Sequence, residues 1–192
     1  MSAARYIIWG VWIVYLLVWI IAAPTAKRTL DRDRQARLFF GVRLALAAGV
    51  IAMLGSPSLR HTLVRIAPSF RTQNLAIATA GDLLGILGIA LACWARFTLG
   101  RNWGMPMSHV ENAQLVTCGP YATIRHPIYS CILLVILGSA LASNYLWLVP
   151  FLLAGVQFLY SARREEARMA QLFPGEYPGY VQRTKMLVPG IL

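Results

Sequence analysis

The chain contains 192 residues, of which 58% are hydrophobic, and its formal net charge is +11 at pH 7. A composition this apolar excludes an ordinary soluble domain and predicts a single membrane domain over residues 1–192. The charge does not favour nucleic-acid binding, because the sequence has no basic helix and no basic–aromatic platform. In a polytopic membrane protein, Lys and Arg residues mainly set the orientation.

Five apolar stretches predict an all-α, polytopic integral membrane protein with about five transmembrane helices. The first has eighteen residues without a charge, long enough to cross a bilayer with little tilt, and Pro24 ends it. Three spans fall in residues 1–95, and two fall in residues 96–192, which we expect to be the catalytic part. The predicted spans are residues 6–23, 38–54, 75–94, 128–142 and 145–160.

Two charged residues lie inside these spans. Arg43 is five residues from the start of the second span, so its side chain is able to reach the membrane surface. Asp82 lies in the third span beside Gly81 and Gly85, a GxxxG pair that lets another helix approach closely. We expect Asp82 either to pair with Arg43 or to hydrogen-bond a neighbouring helix.

The last two spans are predicted to form an antiparallel helical hairpin, since only Ser143 and Asn144 separate them. Its second arm continues as a charged helical stretch, residues 161–173, before a turn-rich tail. Five spans place thirteen of the 18 Lys and Arg residues on one side, four on the other and one within a span. The positive-inside rule then predicts that the N-terminus is outside and the C-terminus is cytoplasmic.

The segment LVTCGPYATIRHPIY, residues 115–129, is the only long run that bilayer filling does not explain. Gly119-Pro120 and His126-Pro127 are turn signals, and Pro127 suits the first position of a helix. His126 would then lie at a helix N-terminus, where free N–H groups favour an anion. We therefore expect a polar turn at the edge of a membrane helix, where a site meets both water and lipid.

A second cluster, Arg163-Arg164-Glu165-Glu166, follows the predicted hairpin. Taken alone it is most simply a surface helix with i,i+3 ion pairs, and His126 alone is most simply a local hydrogen-bonding residue. The orientation places both clusters on the cytoplasmic face, one at each end of a short hairpin. That combination favours a shared site.

Together the two clusters resemble the isoprenylcysteine carboxyl methyltransferase family, which is itself similar to the phospholipid N-methyltransferases. The resemblance rests on LVTCGPYATIRHPIY and REEARMAQLFPGEYPGYVQRTKMLVPG, and covers roughly residues 96–189. It implies an S-adenosyl-L-methionine-dependent methyltransferase with a cytoplasmic cofactor pocket, located in the inner membrane if the source is bacterial. It also implies that the acceptor is a carboxylate, as in isoprenylcysteine, or another lipid-like molecule.

The resemblance also implies roles for individual residues. S-adenosylmethionine has an ammonium group that a carboxylate pairs with, a carboxylate that helix N–H groups or a His accept, and a sulfonium that favours an aromatic face. Transfer to a carboxylate needs no general base, but a cation must hold the acceptor. The implied cofactor residues are Leu115, Val116, Gly119, Tyr121, His126, Pro127, Tyr129, Glu165 and Glu166, and the candidate catalytic residues are Arg125, Arg163, Arg164 and Glu166.

Two positions depart from the pattern of that family. Relatives often carry a His two residues before the LVT leucine, where this chain has Ala113. They often carry an Arg one helical turn before the Glu pair, where this chain has Ser161. Both positions belong to the substrate end, so these departures concern the acceptor and leave the implied cofactor unchanged.

Other interpretations remain open. A reductase of the sterol type has a related C-terminal hairpin but uses NADPH, and a non-enzymatic membrane binding protein would bind neither cofactor. Cys93, Cys118 and Cys131 show no CxxC or Cys/His spacing, so we expect no metal site. The expected partners are membrane lipids and a lipid-like or prenylated acceptor, with no nucleic acid.

Overall fold

A computed structural model describes residues 2–22, 65–103 and 114–191 of the chain. Within these ranges the protein is helical, with two isolated β-bridges and no longer strand. The predicted span at residues 38–54 lies outside the described residues. The helices are α1 (Ser2–Ala22), α2 (Leu75–Leu99), α3 (Pro127–Ala142), α4 (Leu148–Leu172) and α5 (Tyr177–Arg183), with 3-10 turns at Ala67–Phe70, Gly100–Asn102, Gly119–Ala122 and Tyr145–Trp147.

Helices α2 and α3 pack antiparallel through a seam of glycines. A Cβ on Gly138 would lie 2.6 Å from the carbonyl oxygen of Gly81 and 2.7 Å from the backbone nitrogen of Gly85. A Cβ on Gly88 would lie 2.9 Å from a methyl group of Val135. These backbones approach so closely that no side chain fits between them, which confirms the predicted GxxxG packing and identifies α3 as the partner.

Helix α1 packs against both helices of this pair. Val11 joins a buried cluster with residues of α2 and α3, and Trp12 Nε1 donates a hydrogen bond of 3.1 Å to Ser139 Oγ. Ile8, early in α1, lies against Gly85, whereas the end of α1 lies near the end of α2. The two helices are therefore parallel, as the five-span order requires of its first and third members; the number of spans stays a prediction.

Arg96 explains why α2 extends five residues beyond the predicted span. Its side chain is buried and donates Nη2 to the carbonyl oxygen of Ala22 at 2.6 Å and Nη1 to that of Gly100 at 2.9 Å. It also lies over the ring of Trp103, 4.6 Å from the centroid. The charge therefore satisfies the last carbonyl of α1 instead of marking the start of a loop.

The predicted hairpin is confirmed. Asn144 caps the turn by accepting a hydrogen bond from Leu146 N, and its Nδ2 donates to the carbonyl oxygen of Ala67. The fifth predicted span and the charged stretch after it form one continuous helix, α4. Because the end of α3 adjoins the start of α4 at the turn, while Tyr129, near the start of α3, contacts Phe158, in the middle of α4, the two arms are antiparallel.

The apolar helices are compatible with a membrane location. The segments Leu75–Asn102 and Tyr145–Leu172 are long and apolar enough to cross a bilayer, and Tyr6–Ala22 and Pro127–Ala142 are shorter apolar helices. Asp82 is buried on α2. Its predicted partner Arg43 lies outside the described residues, so that pairing stays a prediction.

Candidate active site

The LVTCGPY segment lies against the end of α2. Gly119 has φ +58°, a conformation that favours glycine, and a Cβ there would lie 3.1 Å from Thr98 Oγ1. The following residues form a 3-10 turn in which Tyr121 is buried. Tyr180 on α5 donates its hydroxyl to the carbonyl oxygen of Tyr121 at 2.7 Å. Burial raises the pKa of Tyr180 to about 12, so the phenol donates as a neutral group.

The C-terminal tail completes the turn before α3. Arg125 N donates to the carbonyl oxygen of Lys185 at 2.8 Å, and His126 N donates to that of Met186 at 3.1 Å. In return, Lys185 N donates to the carbonyl oxygen of Thr123 at 3.1 Å. The tail thus pairs with the turn like a short parallel strand, and it fixes the backbone that carries Arg125 and His126.

Four side chains from the two predicted clusters meet beside this turn. Arg125 Nε donates to Glu166 Oε1 at 2.6 Å, and the two side chains are only 9% and 17% exposed. The ring of His126 lies between the carboxylates, with Nδ1 3.5 Å from Glu165 Oε2 and Nε2 3.4 Å from Glu166 Oε1. The turn before α3 and the charged part of α4 therefore form one site, as their combination predicted.

The charge of His126 follows from these neighbours. Burial lowers the pKa of this imidazole, but the hydrogen bonds and negative charges of Glu165 and Glu166 outweigh that effect. The net result is a pKa above the ordinary value of 6.5. When the ring is protonated, it and Arg125 together balance the charges of the two carboxylates.

Aromatic rings extend the site along α4 toward its apolar half. Tyr129 is stacked against His126, with ring centroids 5.5 Å apart, and against Phe158, with centroids 4.6 Å apart. Its hydroxyl donates to Glu165 Oε1 at 2.6 Å. One tyrosine therefore connects the charged end of the site to the apolar side of the hairpin.

The structure distributes the remaining predicted residues around this cluster. Pro127 is buried and is the first residue of α3, as predicted. Leu115 and Val116 are partly buried and precede the turn at Gly119 and Tyr121. Arg163 and Arg164 are exposed on α4, so their predicted contact with an acceptor stays a prediction.

Sequence reasoning missed the residues that support the site. Phe158 stands seven positions before Glu165, a helical spacing that places both on one face, so periodicity would have found it. Thr184 accepts Arg125 Nη1 at its carbonyl oxygen, at 2.6 Å. The identity of Thr184 does not predict this contact, because it is made by a backbone carbonyl oxygen.

Comparison with known proteins gives this arrangement its context. Residues 82–171 match the model of the isoprenylcysteine carboxyl methyltransferase (ICMT) family. The match confirms the resemblance to that family, whose members are S-adenosylmethionine-dependent methyltransferases. It contains both halves of the site, from Arg125 to Glu166, whereas the supporting tail lies beyond it.

Two curated relatives are similar over part of the chain. The cobalt-zinc-cadmium resistance protein CzcN of Cupriavidus metallidurans is 38% identical over 109 residues, 55% of this chain and 48% of that protein. The nickel-cobalt-cadmium resistance protein NccN of Alcaligenes xylosoxydans xylosoxydans is 32% identical over 116 residues, 59% of this chain and 52% of that protein. The chain thus spans about half the length of the curated relatives it matches.

The candidate site has groups that fit S-adenosylmethionine. Glu165 and Glu166 keep 23% and 17% of their side chains exposed, so a soluble cation is able to reach them. The faces of Tyr129 and His126 are aromatic surfaces next to those carboxylates. Anionic and aromatic groups suit the ammonium and the sulfonium of the cofactor.

Proposed function

We propose that the chain is an integral membrane methyltransferase that uses S-adenosylmethionine and acts on a lipid-like acceptor. The observation that supports this most is the meeting of the RHPIY turn with the Glu pair of α4. Arg125, His126 and Tyr129 contact Glu165 or Glu166 at the end of a helical hairpin. A surface helix with internal ion pairs, the simplest interpretation of the Glu pair alone, would not direct both carboxylates toward α3.

In this proposal, the acidic and aromatic residues of the site have different roles in binding the cofactor. Bound S-adenosylmethionine supplies a methyl group on an electron-poor sulfonium. Glu165 and Glu166 would pair with the ammonium group of the cofactor, and Tyr129 would present its ring to the positive sulfur. Phe158 stacks on that ring and would help to exclude water from the transfer.

We propose that the acceptor reaches this site from the membrane. Below the charged cluster, α4 exposes a row of apolar side chains, among them Leu152 at 66% and Val156 at 73%. Such a surface suits a lipid environment, whereas the carboxylates lie where α4 becomes charged. An amphipathic acceptor would keep its tail in the bilayer and place its head near Tyr129.

We further propose that the site faces the cytoplasm, with the N-terminus outside. The thirteen-to-four distribution of Lys and Arg supports this orientation, and the cytoplasm holds the soluble cofactor. The names of the two relatives connect those proteins with metal resistance. For this chain we propose methyl transfer at a site built from an ion pair and a tyrosine hydroxyl, without a catalytic metal.

The experiment is a melting-temperature screen of purified protein with S-adenosylmethionine and with NADPH. We expect the first to raise the melting temperature and the second to leave it unchanged. Stabilisation by NADPH alone would indicate a reductase, and no stabilisation by either would indicate a membrane binding protein. Incubation with methyl-labelled cofactor and membrane lipids then shows whether label enters a lipid-soluble product.

A further inference from the structure

Two serines on the membrane helices have side chains with no exposed surface, Ser139 on α3 and Ser161 on α4. Ser139 Oγ donates to the carbonyl oxygen of Val135 at 2.8 Å and accepts Trp12 Nε1 at 3.1 Å. Ser161 Oγ has no hydrogen-bond partner in the part of the chain that the structure describes. Since buried polar groups are almost always paired, the hydroxyl of Ser161 leaves one hydrogen bond to be made with a partner other than the described residues.

Ser161 does not make the local hydrogen bond that a serine in a helix usually makes. Ser139 and Ser143 each donate to the carbonyl oxygen four residues earlier in the chain, as serines in helices commonly do. The same bond is open to Ser161 in the middle of α4, but its hydroxyl does not make it.

Helical spacing places Ser161 within the candidate site. Phe158, Ser161 and Glu165 are three and four residues apart and therefore lie on one face of α4. Phe158 stacks on the ring of Tyr129, and Glu165 accepts the hydroxyl of Tyr129. Ser161 consequently lies between two contacts to one tyrosine, one turn from Glu165 on the side of the apolar half of α4.

The charges around Ser161 disfavour an anionic head group. Arg125 already donates Nε to Glu166 and Nη1 to the carbonyl oxygen of Thr184. An entering carboxylate would compete with Glu166 for this guanidinium and would meet the negative charge of Glu165. A neutral group that hydrogen-bonds would meet neither penalty.

We propose that Ser161 Oγ is the binding contact for a neutral, hydrogen-bonding head group on the membrane-borne acceptor, such as a hydroxyl or an uncharged amine. This proposal rests on the proposed function and narrows its acceptor. It departs from the carboxylate acceptor that the family resemblance implied. The acceptor tail would stay in the bilayer while its head reaches the serine.

The test compares the parent with Ser161→Ala and, as a matched control, Ser139→Ala. The protein is placed in phosphatidylcholine nanodiscs with S-adenosylhomocysteine, and binding of a long-chain 1-alkanol is compared with that of the ionised fatty acid of the same length. We expect the parent to prefer the alkanol and Ser161→Ala to bind it about five-fold more weakly, the scale of one hydrogen bond. Ser139→Ala should bind the alkanol like the parent.

Thermal unfolding without any probe separates this role from a structural one. Ser161→Ala should unfold at or above the temperature of the parent, because it removes an unpaired buried hydroxyl, whereas Ser139→Ala should unfold at a lower temperature. A loss of stability in Ser161→Ala equal to that in Ser139→Ala overturns the proposal. Three binding results would also overturn the proposal. They are equal alkanol binding by Ser161→Ala and the parent, no alkanol binding by the parent, and a preference of the parent for the fatty acid.

Calorimetry with S-adenosylmethionine, performed on the same variants, tests the proposed function independently. If the cofactor binds but the alkanol affinity does not depend on Ser161, only the proposed acceptor contact is wrong. If the cofactor does not bind while alkanol binding still depends on Ser161, the contact stands and the methyltransferase proposal fails.

Discussion

Arg125 Nε donates a hydrogen bond of 2.6 Å to Glu166 Oε1 and so joins the turn before α3 to the charged end of α4, 41 residues away. The same guanidinium reaches the tail through the carbonyl oxygen of Thr184. One side chain therefore connects three segments of the site. Any change at Glu166 alters both a candidate ligand and this connection.

Replacing the carboxylates should weaken cofactor binding. We expect Glu165→Gln and Glu166→Gln each to lower the affinity for S-adenosylmethionine roughly ten-fold or more, because a hydrogen bond to a charged group contributes about 1.5–3 kcal/mol. Isothermal titration calorimetry measures the effect. Glu176→Gln, an exposed residue of the tail, is the matched control. Parent-like binding by both site variants would leave the Glu pair as a surface feature only.

The Tyr129 hydroxyl should stabilise the fold through Glu165. Tyr129→Phe keeps the stacked ring but removes the donor to Glu165, so we expect the free energy of unfolding to fall by about 1–2 kcal/mol. Denaturant unfolding in detergent measures this change. Tyr6→Phe, on an exposed position of α1, should be neutral. A similar loss in both variants would contradict the role given to the Tyr129 contact.

The glycine seam should not tolerate a methyl group. In Gly138→Ala the new Cβ meets backbone atoms of Gly81 and Gly85, so the helices must separate, at a cost of about 1–3 kcal/mol. Gly155→Ala on α4 is the control, since a Cβ there meets nothing within 4 Å. That change should be neutral or stabilise the helix by up to about 1 kcal/mol. Equal melting temperatures for the two variants would argue against close packing of α2 and α3.

Stability should depend on pH through His126. Its pKa is raised above the ordinary value of 6.5 in the folded protein, so folding favours the protonated ring. The stabilisation is complete below pH 6.5 and is lost as the pH rises through the raised pKa.

The measurement is the free energy of unfolding across this pH range for the parent and His126→Gln. The difference between them should shrink as the pH rises, while the contributions of His61 and His109 cancel because both proteins carry them. Arg125, Glu165 and Glu166 face the ring and also remain in both proteins. A difference independent of pH would show that the ring is not charged in this site.

Local signals in the sequence predicted the parts of the fold that depend on near neighbours. Pro127 begins α3, and Ser143-Asn144 turns the hairpin, because proline and short polar turns act within a few residues of themselves. The meeting of His126 with the Glu pair also followed, once orientation and resemblance placed both on one face.

Contacts between distant segments were beyond such signals. Nothing near Arg96 in the sequence indicates that it binds the carbonyl of Ala22, 74 residues earlier. The glycines of α2 predicted a close approach but not that α3 makes it. The pairing of residues 123–126 with residues 185–186 uses backbone groups that almost every residue type has. Composition and spacing therefore do not predict it.

The tail that pairs with the turn before α3 also sets the order in which the protein is assembled. Residues 184–187 leave the ribosome after every described membrane helix, yet their carbonyl oxygens hold Arg125, His126 and Ser130 in place. The helices are thus complete before the segment that holds these side chains is made. A chain that ended before residue 184 would lack the carbonyl oxygens that hold Arg125 and His126, so its site would be incomplete.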